Sequence, residues 1–144
     1  MSFENQHGMK GAPGLAFPCV THSIETGIMQ QDKDSEGGFV LWIKTDEAGE
    51  AGKVYVDKPE NGAFLGIAQR TLYNDSYKAG MTVNVLKKGR LYVRVLGEVK
   101  AGDSAYVNET NNAITATSTG AVQIPGGMFK TDAADGELAE LEII

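Results

Sequence analysis

A chain of 144 residues is long enough to bury roughly 70% of its unfolded surface, so a core needs neither metal nor disulfide, and the lone Cys19 excludes an intrachain disulfide. With 19 acidic and 13 basic residues the net charge is −6, which repels a phosphate backbone and argues against nucleic acid as a partner. No run approaches the roughly 20 apolar residues of a membrane helix, and the first twenty residues carry Glu4, Lys10 and two prolines where a secretory signal needs an apolar stretch, so a soluble protein made in a reducing cytoplasm is expected.

Residues 1–21 differ from the rest. Gly8, Gly11, Gly14, Pro13 and Pro18 break any helical period, while Phe3, Met9, Leu15 and Phe17 are spaced among them as isolated apolar groups. A purely disordered tail has little use for aromatic anchors. The segment therefore reads as an extended N-terminal arm that orders on a neighbouring surface, with Phe3, Met9, Leu15 and Phe17 as candidate protein-interface residues. Residues 22–144 read as a single β domain.

From Ile24 onward, short apolar runs alternate with turn clusters, and 18 glycines against 4 prolines favour β architecture. Phe39–Lys44 is apolar on both faces and predicts a central strand packed through Trp42. Strands are expected at Val54–Val56 and Phe64–Ala68, divided by the turn Lys58-Pro59-Glu60-Asn61-Gly62. Thr82–Leu86 and Arg90–Leu96 read as a hairpin closed by Lys87-Lys88-Gly89. Shorter strands follow at Ser104–Val107, Ala113–Thr115, Val122–Ile124 and Gly127–Lys130, with Gly126-Gly127 as a turn. In Leu138–Ile143, Ala139, Leu141 and Ile143 alternate with Glu140 and Glu142, which places the glutamates toward water. Ala-Gly precedes a strand three times, at Ala51-Gly52, Ala79-Gly80 and Ala101-Gly102, where glycine supplies the turn. So many short strands imply an all-β fold: a small β-barrel or a jelly-roll-like sandwich of antiparallel strands.

Catalytic chemistry has little to stand on. Cys19 and His22 are three residues apart, but both lie at the arm, without a third orienting group. One cysteine and two histidines fall short of a zinc quartet, and Asp32, Asp34 and Glu36 alternate as calcium ligands do without the bidentate glutamate that such a loop needs. No metal, cofactor or catalytic residue is assigned. Lys87, Lys88, Arg90 and Arg94 cluster around the expected hairpin; they read as a solvated tip, with a docking patch for an acidic protein as the alternative. Trp42, Tyr55, Tyr73, Tyr77, Tyr92 and Tyr106 serve core packing and subunit contacts, or else line a ligand pocket.

The order of features carries a family resemblance. A glycine- and proline-bearing arm is followed by Gly66-Ile67-Ala68-Gln69-Arg70, by Met81–Leu96 and by Val99-Lys100-Ala101-Gly102-Asp103-Ser104-Ala105-Tyr106-Val107. Gly127-Met128-Phe129-Lys130 and Asp135-Gly136-Glu137-Leu138-Ala139-Glu140-Leu141 then close the chain. This resembles the structural cement, or capsid decoration, proteins of tailed bacteriophages. The resemblance implies a non-enzymatic protein of the virion's outer capsid surface, made in the bacterial host. Its implied partner is the major capsid protein, whose subunit contacts it stabilises, and it self-associates, a homotrimer being favoured over a homodimer. The alternatives are another virion part, such as a head-fibre base or tail protein, and a small carbohydrate- or ligand-binding β-barrel.

Overall fold

The computed structural model describes residues 13–14, 23–45, 52–70 and 75–144. Among them the order is β1 (Ser23–Met29), β2 (Val40–Lys44), β3 (Lys53–Val54), β4 (Gly62–Ala68), β5 (Thr82–Leu96), β6 (Ser104–Asn108), β7 (Ile114–Thr115), β8 (Ala121–Phe129) and β9 (Leu138–Ile143), with no helix. The fold is all-β.

A closed small barrel forms the C-terminal part. The second half of β5 pairs with β7 in parallel and with β9 antiparallel, and β7–β6, β6–β8 and β8–β9 complete the ring. Of the two architectures left open by the sequence, the barrel is the one built. Closure leaves this ring without a free edge. Its interior is filled by side chains: Leu91, Val93, Val95, Val107, Ile124, Phe129 and Leu141 are buried in one cluster.

The first half of β5 belongs to a second layer, pairing with β1 and β4; β4 in turn pairs with β2. This layer buries both faces. Val40, Trp42, Ile67 and Leu86 join the barrel cluster, whereas Phe39, Leu41, Ala68, Val83 and Val85 pack with Met29, Val54, Val56 and Tyr77 in a second cluster. The two-sided apolarity of Phe39–Lys44 has this cause. Trp42 is fully buried, and its Nε1 donates to Asn112 Oδ1 at 2.9 Å, which satisfies the one polar atom the indole carries inside.

One expectation is overturned. Thr82–Leu96 is a single 15-residue strand, not a hairpin. Opposite β1, Ser23 faces Lys88 and Ile24 faces Leu86, so Lys87 is an extra residue and the strand bulges there. Lys87 and Lys88 are both exposed, and Gly89 takes φ 133. The bulge changes which parity faces the core: Leu86 points into the barrel cluster before it, and Leu91, Val93 and Val95 after it. A strand that leaves one sheet for another needs such a corner. Lys-Lys-Gly thus encodes a corner, not a loop.

A second correction concerns Gly126-Gly127. The expected strands Val122–Ile124 and Gly127–Lys130 are one element, β8, in which Gly126 takes φ 71 against the Ile144 carbonyl. The first part of β8 pairs with β6, and Gly127–Phe129 pairs with β9. Elsewhere the turn chemistry holds. Gly52, Gly80 and Gly102 take φ of 93, 92 and 95, and Gly62 N donates to Pro59 O to close the predicted turn.

Glu142 is the third correction: it is not simply turned to water. The Arg90 guanidinium donates to its Oε2 through Nε at 3.0 Å and Nη2 at 2.6 Å, and Lys130 lies 3.9 Å from Oε1. The hydrogen bond from Arg90 is the main cause holding the Glu142 carboxyl below its ordinary pKa. A carboxyl lowered in the folded state contributes stability above its unfolded pKa and loses it as pH falls through the folded value. Arg90→Met is therefore expected to cost about 1 kcal/mol at pH 7 and much less near pH 3. Urea denaturation at both pH values checks this; an equal cost at each would refute it.

Candidate functional site

The four arm residues Phe3, Met9, Leu15 and Phe17 lie outside the described residues, as do His7, Cys19, His22 and Tyr73. Of residues 1–21, Pro13 and Gly14 are described, and they are seated against β5 and the end of β4. Gly14 N donates to Tyr92 O at 2.7 Å, and Arg70 N donates to Gly14 O at 3.0 Å. These two bonds tie Gly14 to β5 and to the segment that leaves β4.

The seat is made of backbone. Gly38 N donates to Ala68 O at 2.8 Å, Ala68 N to Phe39 O at 2.9 Å, and Gln69 N to Asn84 O at 2.8 Å, so its walls are fixed by the sheet behind them. A Cβ on Gly14 would meet Gly38 N, would lie 2.6 Å from Ala68 O and 3.0 Å from Arg70 N, and would sit at φ +78. Gly38 also takes φ +78, and a Cβ there would lie 2.7 Å from the Pro13 Cβ. Two glycines in a left-handed conformation, each leaving room for the other's segment, permit this approach. The Arg70–Glu36 ion pair lies beside it.

The Gly66-Ile67-Ala68-Gln69-Arg70 motif acquires a physical meaning here. Gly66 lets the Leu86 carbonyl approach, since a Cβ would stand 2.6 Å from that oxygen. Ile67 fills the barrel cluster, Ala68 the second cluster, and Arg70 receives Gly14. The sequence reading missed Gly37, Gly38 and Tyr92 as parts of the seat. Their signal was the Gly-Gly doublet, which also suits an ordinary turn.

Other polar candidates are committed locally. Asp32 Oδ1 accepts from Ala79 N at 2.8 Å, and Glu36 pairs with Arg70, so two of the three alternating acids of this loop brace the fold. Among the described residues, no group of three or more His, Cys, Asp or Glu side chains is placed to hold a metal ion. Trp42 and Tyr77 belong to different clusters, Tyr92 is buried, and Tyr55 packs against the barrel cluster. These aromatics do not converge on one pocket.

Such a molecule is a small β-barrel body that holds Pro13 and Gly14 by backbone contacts. Residues 5–144 match the family described as structural cement protein (E217 gp24/Pam3 gp6), and the chain belongs to this family of phage structural proteins. The match places it among virion components associated with the capsid. Among solved structures, it is similar to a chain of the capsid of Myoviridae phage XM1, with a TM-score of 0.70 and 16% identity over 99% of this chain and 98% of that one. It also matches the head fibre gp8.5 N base of bacteriophage phi29, with a TM-score of 0.46 and 13% identity over 86% and 95% of the two chains. No curated protein matches the sequence.

Proposed function

We propose that the protein decorates the outer surface of an assembled phage head and bridges neighbouring major capsid protein subunits, without catalysing a reaction. Residues 1–21 act as the arm and residues 22–144 as the body, with Phe3, Met9, Leu15 and Phe17 as anchors on the shell. The copies act as homotrimers, are made in the bacterial host cytoplasm, and use no cofactor, nucleic acid or membrane.

The observation that carries this reading is the family match over residues 5–144, which takes in most of the arm as well as the barrel. Support also comes from the seat at Gly14, which gives the preceding residues a fixed origin on a rigid body. Stabilisation then follows by linkage. A protein that binds only the assembled shell lowers that state's free energy at every occupied site. Repetition around a closed shell makes modest contacts collectively large.

Purified heads stripped of this protein provide the test. The protein is expected to co-sediment with them saturably and to raise the temperature at which they release their genome. Failure to sediment with heads, or equal binding to unassembled capsid subunits, would overturn the proposal.

A further inference from the structure

Two corners of the molecule are built alike. In the second layer, Lys33 and Tyr77 exchange backbone hydrogen bonds, both at 2.8 Å; in the barrel, Val99 and Ala133 do so at 2.9 and 3.0 Å. An aspartate precedes Lys33 and another precedes Ala133. Asp32 Oδ1 accepts from Ala79 N at 2.8 Å, and Asp132 Oδ1 accepts from Ala101 N at 2.8 Å. Gly80 N then donates to Met29 O at 2.7 Å, and Gly102 N to Phe129 O at 2.8 Å. Met29 N and Phe129 N return the contact, to Met81 O at 2.8 Å and Asp103 O at 2.9 Å. The two glycines hold the same left-handed backbone, with φ of 92 and 95. Tyr77, Val99, Met29 and Phe129 are all buried.

The match extends past the turns. Lys78 N donates to Met81 Sδ at 3.2 Å, where Lys100 N donates to Asp103 Oδ2 at 3.0 Å. The strands that meet at each corner pair antiparallel in the same register, Ile28 opposite Thr82 and Met128 opposite Ser104. Ile28 and Met128 are exposed to the same degree, 42% and 41%. Reuse of a favourable turn does not produce this, because a turn is one local segment. Each corner here joins two segments distant in sequence, Lys33 with Tyr77 and Val99 with Ala133. Their order is exchanged as well: the aspartate segment comes first in the second layer and last in the barrel.

We infer that one latch is built twice in this chain, that Asp32 and Asp132 are the equivalent residues closing it, and that Met81 stands where the barrel's copy has Asp103. The Ala79 and Ala101 amides find their acceptor in a side chain rather than in a strand, and a carboxylate placed one residue before the bridge reaches both. A carboxylate accepts more strongly than a neutral group, so the bond fixes the turn that starts β5 in one case and β6 in the other. At the fourth position of the turn, a thioether is a weak acceptor for the Lys78 amide and a carboxylate a good one for the Lys100 amide. The two corners are therefore interchangeable, and the barrel's version is the better made.

Thermal melting of the full chain, with amide exchange followed by NMR, tests this. Asp32→Ala is expected to speed exchange at Ala79 and Gly80 at least about tenfold while Ala101 and Gly102 stay within about twofold, and Asp132→Ala to do the reverse. Asp32→Asn and Asp132→Asn keep an oxygen for the amide and are expected to hold exchange within about threefold of the original. The transplant Met81→Asp with Thr82→Ser makes residues 78–82 identical to residues 100–104. It is expected to keep the melting temperature within about 4 °C of the original or to raise it. If Met81 served only to pack against the second core cluster, a carboxylate there would lose that contact and lower the melting temperature by more than about 4 °C. That larger fall would overturn the equivalence. An alanine variant whose own corner exchanges as before, or an asparagine variant that exchanges as fast as the alanine one, would overturn the role of the aspartates.

Discussion

Gly14→Val is expected to lower the stability of the protein by about 2–3 kcal/mol and to release the arm from its seat. The new Cβ would meet only backbone, Gly38 N, Ala68 O and Arg70 N, none of which rotates away as a side chain does. A β-branched residue also resists φ +78. Holding the seat under that strain would cost more than abandoning it. The molecule therefore takes the cheaper course, and the cost is capped by what the seat contributes: two backbone hydrogen bonds at roughly 1 kcal/mol each, and a small buried contact. Gly38→Val acts on the same contact from the other side, against Pro13. Once either change has emptied the seat, the second has less to remove, so the pair should cost clearly less than the sum. Urea denaturation followed through Trp42, the only tryptophan, measures all three. Additive losses, or none at Gly14, would mean that the seat does not hold the arm.

Much of the fold was legible because its signals are local. Phe39–Lys44 is apolar at every position but the last, and only a strand between two cores has a use for that. The alternation in Leu138–Ile143 fixed which residues enter the barrel, and the three Ala-Gly turns place glycine where φ is positive. The failures arise where one local signal serves two structures. Lys87-Lys88-Gly89 has the composition of a hairpin loop, but the bulge at Lys87 is defined by the register against Ser23 and Ile24, and register against a distant strand is not written in the segment itself. Gly126 likewise has a turn's φ, yet it sits inside β8 because the Ile144 carbonyl requires a residue without a side chain there. The seat was illegible for the same reason. Its donors and acceptors are main-chain atoms of Gly14, Ala68, Arg70 and Tyr92, and any residue type carries those.

Deleting residues 2–12 while keeping Pro13 and Gly14 separates folding from attachment. Among the described residues, every member of the two core clusters lies at or beyond Met29, and the two bonds of Gly14 survive the deletion. The melting temperature is therefore expected to stay within about 3 °C of the full chain, an allowance below the shift that a 1 kcal/mol loss produces in a chain of this size. Binding to stripped heads is expected to weaken at least about tenfold, because the deletion removes Phe3 and Met9, and burying one such side chain contributes about 1.5–3 kcal/mol. Deleting residues 2–21 instead takes Gly14 as well. That longer deletion should weaken head binding further, by removing Leu15 and Phe17, and should also lower the melting temperature, because the two hydrogen bonds of Gly14 to Tyr92 O and Arg70 N are lost. The two deletions thus assign different roles to one segment, attachment to the shell before Pro13 and anchorage to the barrel at Gly14. Equal melting temperatures for both would remove the anchorage role, and full head affinity after the shorter deletion would remove the attachment role.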